Sequence, residues 1–177
     1  MLHSKRMRKL LFVVASEGFQ PLEYFEPKKV LEAAGVKITT ASTKVGQVFA
    51  AHSGQSTDAE IALKNVNVGD YDGVFFVGGP GAMEHLDDKN SYRVLQDAMA
   101  LGKLYGSICI STRILAHAGV LKGKKATGWN GDDQLGEIVE QGQGFYAEGP
   151  VVTDGNLITA TGPSAALAWG EAILQKL

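Results

Sequence analysis

The run Leu10-Leu11-Phe12-Val13-Val14-Ala15 is apolar at every position. It is too short to span a bilayer and lacks the alternation of a strand wetted on one face. Such a run is satisfied as a strand covered on both sides, the situation in a parallel sheet enclosed by helices. Gly73-Val74-Phe75-Phe76-Val77 repeats the pattern, and Leu104-Tyr105-Gly106-Ser107-Ile108 is a third strand that runs into Cys109. Helical patterns fall between these strands. Pro21 suits the first turn of a helix whose inner face is predicted as Leu22, Phe25, Val30, Leu31 and Ala34, with Gly35 at its end. Residues 36–41 return as a strand, which makes a right-handed βαβ unit. Residues 46–54 read as short edge strands or a hairpin, and residues 57–63 as a brief helix. Residues 91–102 are predicted as a helix burying Val94, Leu95, Ala98 and Leu101, and residues 132–141 as another. Asp154-Gly155 between two apolar runs signals a hairpin, and Gly162-Pro163-Ser164 opens a closing helix. The expected fold is α/β, a three-layer α/β/α sandwich on a mostly parallel central sheet. Residues 1–177 form a single domain, with 1–8 as a flexible, solvated tail.

Charge narrows the partners. Seventeen basic and 19 acidic residues leave a net charge of -2, which argues against nucleic acid and an anionic membrane and for a small molecule. One cysteine permits no internal disulfide. With no long apolar run and no secretory signal, the cytoplasm is the expected compartment.

That cysteine sits where strand breaks into helix, in Ser107-Ile108-Cys109-Ile110-Ser111. A nucleophile elbow crowds the positions two before and two after the nucleophile, and both are serine here. Helix N-terminal N–H groups favour a thiolate, so the position is predicted to activate the sulfur; the alternative is a small buried hydrophobe. Ligands in such sheets lie beyond the carboxyl ends of the strands. Residues 17–23, Gly78-Gly79 and Cys109 all fall there. Glu23 is the best carboxyl partner for the sulfur, because partial burial would raise its pKa and let it shuttle a proton; a glutamate placed to suit the helix dipole is the competing reading. Glu17 and Glu26 are weaker candidates. The N–H groups of Gly79 and Ile110 are candidate oxyanion donors. Gly78-Gly79-Pro80-Gly81 lacks the lysine of a P-loop and the glycine spacing of a dinucleotide fold, which argues against nucleotide binding.

These residues carry a resemblance. Phe19-Gln20-Pro21-Leu22-Glu23 with Pro27, Asp70-Tyr71-Asp72-Gly73 before Gly78-Gly79, Ser107-Ile108-Cys109, residues 118–127, and Asp154-Gly155-Asn156-Leu157-Ile158-Thr159 with Gly162-Pro163 resemble the DJ-1/PfpI (ThiJ/PfpI) superfamily, which is class I glutamine amidotransferase-like, over nearly the whole chain. The resemblance implies a flavodoxin-like sandwich, Cys109 as an oxidisable nucleophile, Glu23 as its protonated partner, and Gly79 and Ile110 as oxyanion donors. It also implies a homodimer or larger homo-oligomer and no cofactor or metal. Gly78, Trp129, Pro163 and His85 are the remaining candidate pocket residues, Trp129 as a roof limiting substrates to small ones.

The departures bear on function. Family proteases place a histidine directly after the cysteine, where this chain has Ile110, and other members place one near Gly128-Trp129-Asn130. The histidines present are His3, His52, His85 and His117, and none matches either pattern. A general acid–base histidine contributes about 100- to 10,000-fold where one is used, so peptide hydrolysis suffers most from its loss. The first expectation is therefore a hydrolase or lyase, glyoxalase- or deglycase-like, acting on small carbonyl compounds or glycated adducts through Cys109 and Glu23. A non-enzymatic redox sensor or stress-response chaperone is the second, and an intracellular peptidase the third.

Overall fold

In the computed structural model, which describes residues 6–177, β1 (Lys9–Val13) is an interior strand of the main sheet and is buried along all but its first residue. The chain passes through β2 (Glu17–Phe19) into α1 (Pro21–Ala33) and returns as β3 (Lys37–Ser42). β4 (Gly46–Ala50) and β5 (Ser56–Ala59) form an antiparallel hairpin, with β2 added parallel to β4. β6 (Ile61–Ala62) and β7 (Gly73–Phe76) precede the short α2 (Ala82–Leu86) and α3 (Lys89–Ala100). β8 (Leu104–Ile108) then leads to α4 (Thr112–His117), β9 (Lys125–Ala126), α5 (Leu135–Gln141) and β10 (Phe145–Tyr146). A hairpin of β11 (Val151–Asp154) and β12 (Leu157–Ala160) precedes α6 (Ala166–Lys176).

The main sheet has the order β11-β12-β8-β7-β1-β3-β6 and is parallel except for β11. Helices α1 and α6 pack on one another against it, while α3, α4 and α5 pack together elsewhere on the sheet. The α1–α6 approach is close because Gly170 has no side chain: a Cβ there would lie 2.8 Å from Pro27 Cα. Beneath them Trp169 stacks on Phe12 at 6.1 Å, and its indole N–H donates to Ile158 O at 3.1 Å. That contact satisfies the ring's one polar atom inside the core.

The layered α/β architecture is as expected, but three local readings change. α1 buries Glu23, Tyr24, Pro27 and Leu31, and it leaves Leu22 48% exposed and Ala34 exposed. Packing against α6 and β3 selects this face, and Tyr24 anchors it through its hydroxyl to Thr40 and Thr57. Residues 56–59 are strand rather than helix, because they pair with β4. Leu101 lies beyond the end of α3 and faces solvent. Of the expected tail, residues 1–5 lie outside the described residues, whereas Arg6 and Arg8 reach Asp72 Oδ1 at 3.2 and 3.8 Å and so are not free. Among the described residues no helix is long and apolar enough to cross a membrane.

Candidate active site

β8 stops at Ile108 and the chain turns sharply, placing Cys109 at φ +62°. A β-carbon in that left-handed region is strained, which is how an elbow lifts one side chain clear of the sheet. Ser111 holds the turn by donating to Val77 O at 2.7 Å. Thr112 donates to Thr127 O at 2.8 Å, which leaves Ser107 as the donor in the 2.8 Å contact between the Ser107 and Thr112 hydroxyls. The two small flanking residues are thus buried and hydrogen-bonded as well as compact.

Glu23 comes from the opposite side, on the first turn of α1, and is wholly buried. Pro21 starts the helix, and Gln20 Oε1 caps it by accepting from the N–H groups of Leu22 at 2.6 Å and Glu23 at 3.3 Å. Gly78 sits where these parts meet. A Cβ at Gly78 would lie 2.6 Å from Glu23 Oε1 and 2.7 Å from Cys109 Cβ, so only glycine lets strand end, carboxyl and cysteine converge. Gly79 adopts φ +115° and turns its N–H toward the sulfur.

Neither carboxyl oxygen of Glu23 has a partner in full hydrogen-bond geometry; the Cys109 thiol and the Gly78 N–H are the donors that face it. Burial pushes the Glu23 pKa up to about 8, with those two donors pulling the other way. Cys109 is pushed up to about 12, by burial first and then by the Glu23 charge, against the N–H groups of Ile110 and Gly79. The thiolate expected from a helix N-terminus is therefore outweighed. The turn at Cys109–Ser111 is a single 3-10 turn before a six-residue α4, and the N–H groups of Ile110 and Gly79 act against desolvation and the adjoining Glu23 carboxyl. Glu23 gives up its proton before Cys109 does, and its charge then holds the proton on the sulfur.

A cavity of about 500 Å³ opens over the sulfur, lined by Gln20, Gly79, Pro80, Met83, Cys109, Ile110, Trp129 and Pro163. Trp129 and Pro163 are where the sequence suggests them. Glu23 and Gly78 lie beneath the cavity floor rather than on it. His85 does not line the cavity; α2 carries Met83 to it, while His85 in the last turn of that helix borders a neighbouring depression with Glu17, His52 and Glu84. His117 is also elsewhere, with Nδ1 3.0 Å from the Asp87 carboxylate. His3 lies outside the described residues. Sequence reasoning missed Gln20, since Pro21 marks position 20 as the cap but glutamine is not among the usual capping residues, and it missed Arg113. The Arg113 guanidinium lies 5.3 Å from the centre of the Trp129 ring and 2.6 Å from Asp132 Oδ1, contacts that pattern alone does not announce.

An elbow cysteine beside a buried glutamate, at the carboxyl edge of a mostly parallel sheet, marks a class of α/β proteins. Within that class the chain belongs to the DJ-1/PfpI family, whose model matches residues 8–176. An uncharacterized protein of Methanocaldococcus jannaschii is 34% identical over 170 residues, covering 96% of this chain and 82% of the relative. The deglycase PfpI of Pyrococcus furiosus is 29% identical over 163 residues, covering 91% and 94%. A ThiJ/PfpI domain protein from Brachyspira murdochii superposes with a TM-score of 0.89 at 28% identity, over 98% of this chain and 99% of that one.

Proposed function

We propose that the protein is a cysteine-dependent enzyme of small carbonyl compounds, glyoxalase- or deglycase-like, working through Cys109 and Glu23. The observation that carries this reading is the wholly buried Glu23 carboxyl set against Cys109 beneath a largely apolar cavity. The thiol adds to an aldehyde carbon: the S–C bond forms, and the carbonyl π electrons move to oxygen. The thiol proton passes by way of Glu23 to that oxygen, whose charge develops against the N–H groups of Gly79 and Ile110. With a 1,2-dicarbonyl, Glu23 in its ionised form, which is reached near pH 8, then takes the proton from the sulfur-bearing carbon and returns it to the neighbouring carbon, while the hydroxyl proton on the first oxygen passes to the second. The first carbon is thereby oxidised to a thioester and the second reduced to an alcohol, with no external oxidant. Water cleaves the thioester, releasing a 2-hydroxy acid and the free thiol.

The similarity to a relative named deglycase supports carbonyl chemistry for this chain. Peptide hydrolysis has less support, because no histidine lines the cavity among the described residues to protonate a leaving amine. A redox sensor would use the same Cys109, and it is separated from the enzyme by turnover. The test is steady-state formation of 2-hydroxy acid from methylglyoxal, with Cys109→Ser and Glu23→Gln as controls. Turnover that is lost in Cys109→Ser supports the reading. No turnover, with Cys109 instead consumed stoichiometrically by peroxide, would transfer it to the sensor.

A further inference from the structure

The cavity walls are apolar at Met83, Ile110 and Pro163, and Gln20 contributes the one side-chain amide. The orientation of that amide is fixed. Two backbone N–H groups at the start of α1 converge on one end of it, at 2.6 and 3.3 Å, and donors converge only on an acceptor, so that end is Oε1 and the other is the NH2 group. The cap thus holds the amide in one sense and turns two N–H donors away from the helix. Among the described residues Nε2 has no hydrogen-bond partner, and Gln20 is half-buried.

We infer that Gln20 is a specificity-determining residue whose Nε2 donates to the second oxygen of a neutral 1,2-dicarbonyl while Cys109 holds the first carbon. The inference rests on the carbonyl reading above. A mono-aldehyde has no oxygen for this donor. A carboxylate in the same place would bring its charge among apolar walls with no cationic side chain lining them, which is unfavourable. The chemistry selected is an uncharged α-oxoaldehyde with a small apolar substituent. As the second oxygen gains charge during proton transfer between the two carbons, the same N–H stabilises it.

The test separates the donor from the cap. Gln20→Ser keeps a good N-cap but is too short to extend an N–H into the cavity. Reversible adducts at Cys109 are read as protection against iodoacetamide, scored by intact mass, with methylglyoxal and with propanal. Wild type is expected to prefer methylglyoxal, and the methylglyoxal-to-propanal ratio of protection constants to fall about five- to tenfold in Gln20→Ser, with propanal protection and the melting temperature unchanged. A ratio equal in the two proteins overturns the role of Gln20, even if methylglyoxal is turned over. Protection by methylglyoxal without 2-hydroxy acid release would sink the enzymatic reading while leaving the donor intact. A wild type protected by neither aldehyde overturns both.

Discussion

Arg113 and Trp129 are stacked, with the guanidinium carbon 5.3 Å from the centre of the indole. Arg113 is four residues after Cys109 on the elbow helix, and Trp129 is one wall of the cavity, its backbone N–H donating to Cys109 O at 3.0 Å. Asp132 closes the arrangement from beyond the tryptophan at 2.6 Å from Arg113 Nη2. The wall is therefore pinned to α4, which follows directly on the turn that carries Cys109. Arg113→Met is predicted to loosen it. Acrylamide quenching of tryptophan fluorescence should rise, because Trp169 is wholly buried and Trp129 is 40% exposed, and discrimination between methylglyoxal and phenylglyoxal should weaken. Unchanged quenching would show that the wall stands without the arginine.

The raised pKa of Glu23 gives stability a pH dependence of known sign. Between its ordinary 4.5 and about 8, the folded protein holds a proton that the unfolded chain has released. Stability contributed by this group is full below 4.5 and is lost as pH rises toward 8, by at most about 1.4 kcal/mol per pH unit. Urea denaturation across that window should show the fall in wild type and a flatter profile in Glu23→Gln. A wild type whose stability climbs toward pH 8 would mean that Glu23 is ionised in the fold.

Gly78→Ala should damage both stability and chemistry. The added methyl would meet Glu23 Oε1, Cys109 Cβ and Ile108 O at 2.6, 2.7 and 2.8 Å, and two of those belong to a backbone turn that cannot step aside. The expected loss is about 1–3 kcal/mol, with Cys109 alkylation also altered, because the methyl wedges the carboxyl away from the sulfur. A variant with wild-type stability would mean that the turn relaxes more readily than its packing implies.

The centre of the fold is legible because its signals are local. β1, β7 and β8 are apolar at consecutive positions, Asp154-Gly155 marks its hairpin, and the two serines frame the elbow. The buried face of α1 is not legible. Leu22 looks inward and Glu23 outward by hydropathy, and the order reverses because Gly78, distant in sequence, leaves room for a carboxyl beside Cys109. β5 reads as helix because its partner strand, not its own residues, decides its state. β9 and β10 are two residues each, too short for any periodicity to register. The elbow could be picked out from residue types, whereas Glu23 needed the family resemblance beside them, because a glutamate placed for the helix dipole reads equally well. The direction of the thiol pKa could not be read from either, since it depends on how deeply the pair is buried.

The coupling between Cys109 and Glu23 is the claim on which the rest depends, and the rate of Cys109 carboxamidomethylation against pH tests it most directly. In wild type the rate should stay low through pH 8, where Glu23 ionises and its charge holds the thiol proton on, and rise only toward 12. In Glu23→Gln, with the neighbouring charge removed, a single rise with a midpoint below 12 is predicted. Identical single-step profiles in the two proteins would contradict the account, because they would show a sulfur that does not sense the carboxyl beside it.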